Sequence, residues 1–289
     1  MSNRLILENE YYRVEIANPN DDGEKRFSTR YGYCGYIIQI IDKASGCALL
    51  STPTAEWNAF SGDGFPDEFE MPIGYDEAAA GELFLKIGVG RQRKIGLVPY
   101  NNRDKHETMA LTQISICKRK NSVAFYQTHS LGEYAYAYCK EIILRGKSLK
   151  ISHKLENTGK KTFCTLWYSH AFLPATPSDD LQIRIPNRYI LYRGNDKLFA
   201  ISGDAAFRTY RFSADICGGI CCNWHTSEEK TNVQSIWKNG VEIYRAEGDF
   251  SLDELQVFVN QCVISAEPKQ RIELFSGDVK RWNTEYTFR

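Results

Sequence analysis

The sequence has no surplus of either charge: 36 lysines and arginines are matched by 36 aspartates and glutamates. Without a basic excess, nothing draws it to nucleic acid or to an anionic lipid surface. It also lacks any run of about 18 apolar residues, so no helical membrane span is expected. The opening residues, MSNRLILENEYYRVEI, put acidic side chains where a secretory leader needs an apolar stretch. The nine cysteines are odd in number and scattered, apart from Cys221 and Cys222, with no Cys-x-x-Cys pair and no Cys/His ligand spacing. Reduced thiols in a cytoplasm are the expectation, in a monomer or homodimer that binds neither nucleic acid nor membrane.

Several chemistries lack their motifs. There is no Gly-x-Gly-x-x-Gly opening a helix, no phosphate loop ending in Gly-Lys-Ser/Thr, no His-Glu-x-x-His and no Gly-x-Ser-x-Gly. Convincing helical periodicity is missing too, apart from one candidate turn at Asp76–Ala80. No low-complexity linker marks a boundary, so residues 1–289 read as one large domain.

What is present is alternation with a period of two, in a chain with 17 Tyr, 15 Phe and 5 Trp. Tyr136–Leu144 and Ser148–Leu155, joined by a turn at Gly146, predict an antiparallel hairpin. After the turn Asn157-Thr-Gly-Lys a further strand runs from Thr162 to Phe172. Similar runs cover Tyr11–Ala17, Tyr36–Asp42, Leu111–Lys118, Val123–Thr128, Gly219–Trp224, Val241–Arg245, Leu255–Asn260, Arg271–Phe275 and Arg281–Phe288. Short strands between Gly, Asn, Asp and Pro turns predict an all-β protein of large antiparallel sheets. One break, Trp57–Gly81, is unusually long, and its aromatic content predicts that it packs against the body of the protein.

The proton-transfer candidates are the carboxylates and the histidines. His106, His129 and His225 border polar turns and are expected to face water. His153 shares a strand face with Leu149, Ile151 and Leu155, which predicts a buried, hydrogen-bonded ring. His170 follows Leu166 and Tyr168 on one face, close to the strand end set by Pro174. From the residues alone, a buried core histidine is a better account of it than a catalytic one.

The stretch KEIILRGKSLKISHKLENTGKKTFCTLWYSHAFLP resembles the central segment of the aldose 1-epimerase (galactose mutarotase-like) superfamily. There a strand ends in an Asn-x-Gly turn and the next leads to a histidine followed by an aromatic, the order of Asn157, Gly159, His170 and Phe172 here. The C-terminal VFVNQCVISAEPKQRIELFSGDVKRWNTEYTF is similar to the family ending, through Glu267, Pro268, Gly277, Trp282, Tyr286 and Phe288. The resemblance covers about a quarter of the chain.

It implies a β supersandwich carrying a carbohydrate site, with no metal or organic cofactor, and interconversion of the α and β anomers of a free or phosphorylated hexose. Ring opening needs an acid at the ring oxygen and a base at the C1 hydroxyl, roles the resemblance assigns to His170 and Glu267. Lys86, Arg91, Tyr168 and Trp57 are the expected sugar contacts, and Lys86, Arg91, Arg93 and Lys94 a candidate phosphate cluster. The family's earlier histidine, in a Leu-His-Gly-Gly-like motif, has no counterpart here. That departure keeps open a non-catalytic sugar-binding or sensing protein on the same fold, whereas a lyase or glycosidase accessory domain lacks its companion catalytic domain.

Overall fold

The computed structural model describes residues 3–21, 28–54, 60–194, 198–212, 220–225 and 232–289. Two large antiparallel sheets face each other. The larger has ten strands in the order Phe199–Gly203, Phe207–Phe212, Leu181–Pro186, Asn232–Lys238, Val241–Gly248, Val279–Phe288, Ser148–Asn157, Tyr134–Arg145, Ser122–Leu131 and Gln113–Lys118. The expected hairpin lies within it, in the register Tyr136↔Asn157 to Arg145↔Ser148. The second sheet has seven strands: Ile190–Arg193, Ile220–His225, Glu254–Val259, Val263–Leu274, Phe163–Ser169 and Asp67–Phe69 in order, with Leu173–Pro174 pairing alongside Val263–Leu274. Two three-stranded sheets, Leu5–Glu8/Tyr12–Ile16/Ile37–Asp42 and Leu83–Lys86/Gly90–Arg93/Glu107–Leu111, complete the structure.

Alternation along each strand sends one row of side chains inward. Trp167 of the smaller sheet meets Trp282 of the larger at a ring separation of 5.2 Å, and Phe69 meets Tyr138 at 5.1 Å. One contiguous cluster of buried apolar residues runs from Leu7 to Phe288 and draws on both sheets. An ion pair crosses this core, Lys140 Nζ to Asp67 Oδ2 at 2.6 Å, with both side chains buried. Burial pushes the Asp67 carboxyl up, and Lys140 opposes it.

The long break after residue 57 packs as expected where it is described. Phe65, Phe69 and Tyr75 are buried, and the break adds the edge strand Asp67–Phe69 beside Phe163–Ser169. Gly64 makes its approach possible: its φ is +61°, and a Cβ there would lie 2.4 Å from the Ile37 carbonyl oxygen.

Three expectations are corrected. Residues 76–80 form turns rather than a helix, and the described residues contain no α-helix. His106 is buried, not solvated, because its ring stacks on Tyr100 and packs edge-on to Phe84 while Nδ1 meets the Arg93 carbonyl. The strand foreseen at Arg271–Phe275 begins earlier, at Val263. Residues 263–270 are buried on both faces, which erases the alternation that marks a half-exposed strand.

A candidate active site

The doubly buried stretch of Val263–Leu274 lies beneath the site. Ala266 points into the core, so Glu267 points to the opposite face, as do Gln256 and Cys221 on the neighbouring strands. Pairing with Phe163–Ser169 ends at Trp167↔Gln270 and resumes only at Leu173↔Ile264. Pro268, with no N–H to offer a partner, lies in that opening. Opposite it the chain from 168 to 172 swings away and pairs elsewhere: His170 N donates to the Pro66 carbonyl and Phe172 N to that of Gly64. The detour leaves His170 beside Glu267.

The two residues line one cleft of about 370 Å³, with Arg30, Tyr31, Phe172 and Gln256 among its other walls. Small-molecule sites fall in this size range, roughly 300–1,000 Å³. His170 Nδ1 is 2.9 Å from Glu267 Oε1, although its N–H direction is not aligned with that oxygen. Gln256 Nε2 donates to the other carboxylate oxygen, Oε2, at 2.6 Å. Asn223 Nδ2 donates in turn to Gln256 Oε1, which fixes the orientation of that amide. Phe172 stacks on the His170 ring at 5.0 Å, and Tyr31 meets it edge-on at 5.6 Å.

Behind the histidine is a buried ionic cluster. Arg30 donates from Nε to Glu68 Oε2 at 2.6 Å, from Nη1 to the Phe60 carbonyl, and from Nη2 to Tyr168 Oη and toward His170 Nε2, each at 3.3 Å. Glu68 also accepts from Tyr168 Oη at 2.6 Å and from Asn102 Nδ2 at 3.1 Å, and Lys86 Nζ stands 3.6 Å away. Burial alone would raise the Glu68 carboxyl. The charges of Arg30 and Lys86, with the Tyr168 hydrogen bond, outweigh it and bring the group down to about 2. Burial moves Lys86 the other way, down to about 8, against the pull of Glu68.

The structure thus brings His170 and Glu267 together but reassigns their expected neighbours. Lys86 does not line the cleft; it is buried on Glu68 and over the Tyr100 ring. Tyr168 is buried too, its hydroxyl spent on Glu68 and Arg30. Arg91 lies away from the cleft and donates to the Ser130 carbonyl. Trp57 falls outside the described residues. Nor do Lys86, Arg91, Arg93 and Lys94 converge as a phosphate cluster: Arg93 holds Glu107 and the Gly81 carbonyl, and Lys94 is buried on the Tyr75 carbonyl. Neighbours on a strand point to opposite faces, and a turn separates Lys86 from the others.

Among the described residues no other histidine lines the cleft, and no group of three or more His, Cys, Asp or Glu is placed to hold a metal ion. Sequence reasoning missed Arg30, Glu68 and Gln256. A signal existed for Glu68, which sits within the aromatic-rich break already singled out. Arg30 and Gln256 carry no local pattern.

No protein-family model matches the sequence, and no curated protein matches it significantly. Solved structures do match. A galactose mutarotase-like protein from Lactobacillus casei ATCC 334 aligns over 99% of this chain and 100% of its own, at 14% identity and a TM-score of 0.65. A galactose mutarotase related enzyme from Lactobacillus acidophilus aligns over 99% and 97%, at 11% identity and a TM-score of 0.64. An aldose epimerase homologue from C. elegans aligns over 100% and 99%, at 11% identity and a TM-score of 0.60. Shared architecture over the full length, at identities this low, establishes the fold and leaves function to the site. The chain has the galactose mutarotase-like β-supersandwich fold.

Proposed function

We propose that this protein is an aldose 1-epimerase-type isomerase that interconverts the α and β anomers of a hexose. The observation that carries this reading is the pairing of His170 and Glu267 in one small cleft on a galactose mutarotase-like sheet. Anomer exchange moves one proton off the C1 hydroxyl and one onto the ring oxygen, so it requires an acid and a base within reach of both atoms. An imidazole in the cleft can both take and return such a proton, a carboxylate 2.9 Å away balances the charge it gains, and aromatic rings pack against it. Phe172 and Tyr31 line the cleft with aromatic rings, and Gln256, which spends one amide proton on Glu267, keeps a second for a sugar hydroxyl.

The test is the rate of anomer exchange by NMR for glucose, galactose and their 6-phosphates, with wild type, His170→Ala and Glu267→Gln. The expected result is acceleration by the wild type and a loss of about 10²-fold or more in both variants. Binding without acceleration would establish the sugar-sensing alternative, and neither binding nor acceleration would refute a carbohydrate role.

A further inference from the structure

We propose that Arg30 is a positioning residue that fixes His170 in the tautomer bearing its proton on Nδ1, so that Nε2 acts as a proton shuttle between two oxygens of the substrate. The inference rests on the isomerase reading above for its chemistry, but its structural part stands without it.

The direction of every hydrogen bond in the cluster is set by what each group can do. Glu68 only accepts, from Arg30 Nε, from Tyr168 Oη and from Asn102 Nδ2. Having given its proton to Glu68, Tyr168 Oη accepts from Arg30 Nη2. A guanidinium has no lone pair to offer and does not deprotonate. The nitrogen 3.3 Å from Arg30 Nη2, His170 Nε2, therefore carries the lone pair. The single proton of the neutral ring is left on Nδ1, which faces the carboxylate of Glu267. Arg30 cannot swing away to relax this assignment, since Glu68, the Phe60 carbonyl and the Tyr31 ring hold it from three sides.

This arrangement divides the work differently from the roles implied by family resemblance. The contact from Arg30 to Nε2 is long, whereas its bond to Glu68 is 2.6 Å. A substrate hydroxyl entering between the two accepts from Arg30 and donates to Nε2. The C1 hydroxyl gives its proton to Nε2. The O–H electron pair becomes the second bond of the C1 carbonyl, and the C1–O5 pair leaves on O5. O5 then takes the same proton back from Nε2, so the ring ends neutral and the sugar open. Rotation about C1–C2 and the reverse sequence close the other anomer. Glu267, beside Nδ1, balances the transient imidazolium, while Arg30 faces the negative charge that builds on oxygen.

The tautomer is read directly by ¹⁵N-histidine NMR near neutral pH, with the His170 signal identified by its loss in His170→Asn. The expected wild-type pattern is a pyrrole-type Nδ1 and a pyridine-type Nε2. In Arg30→Met the ring is expected to become a mixture of tautomers, and anomer exchange to fall by roughly 10²-fold. Arg30→Lys, which keeps a donor and the charge on Glu68, should recover part of both signals. A proton on Nε2 in the wild type would overturn the proposal outright. So would Arg30→Met with an unchanged tautomer and an unchanged rate. Should the wild type accelerate no sugar, the isomerase reading fails while the NMR pattern still decides the tautomer; the two failures are distinct.

Discussion

Glu68→Gln is the perturbation whose size the structure fixes best. The side chain is fully buried and its carboxyl lies at about 2, compared with 4.5 in the unfolded chain. Burial pushes that value up, so the depression is the net result after Arg30, Lys86 and Tyr168 have overcome it. At about 1.36 kcal/mol per pH unit, the gap corresponds to roughly 3 kcal/mol. The sign follows from which state holds more protons. Between 4.5 and about 2 the unfolded chain is the more protonated, so this stabilisation is complete above 4.5 and is lost as the pH falls through about 2. Glutamine keeps the shape but leaves Arg30 and Lys86 facing no anion. With roughly 2.1 cal/mol/K per residue, the unfolding entropy of a 289-residue chain is ~0.6 kcal/mol/K, and the variant should melt about 5 °C below wild type at neutral pH. Thermal unfolding followed by circular dichroism checks this, and the gap between the two proteins should close in acid. Equal melting temperatures at neutral pH, or a gap that persists down to pH 2, would show that the cluster does not stabilise the fold through this charge.

Lys86, pushed down to about 8 by burial, predicts a dependence of the same sign in the alkaline range. Between about 8 and 10.5 the unfolded chain holds more protons, so wild-type stability should rise with pH across that window, and denaturant titrations at its two ends would reveal a flat profile if it does not. Lys140→Met leaves Asp67 buried without its counter-charge and should cost about 3–5 kcal/mol in urea unfolding, with Asp67→Asn in the same chain restoring most of it. A single-variant cost below about 1 kcal/mol would mean that water reaches the pair. Arg91→Ala removes only a contact to the Ser130 carbonyl and should change neither sugar affinity nor anomer exchange beyond about twofold; a larger loss would return Arg91 to the cleft.

The sequence by itself determined the all-β class, because alternation with a period of two survives wherever a strand has one dry and one wet face. Ser148–Asn157 is the clearest case, buried at every second residue. Through resemblance it also singled out His170 and Glu267, which the structure places in one cleft. It could not reveal the start of the strand at Val263, where cover on both faces removes the alternation. Nor could it separate Lys86 from the cleft, since its place depends on Glu68, which arrives from another sheet. Arg30, Glu68, His170 and Glu267 lie on four separate stretches of chain, and only folding brings neighbours in this series to contacts of 2.6–3.3 Å. Those distances are set by the break in pairing at Pro268 and the edge strand at Asp67–Phe69, so only the folded sheets decide which cation meets which carboxylate.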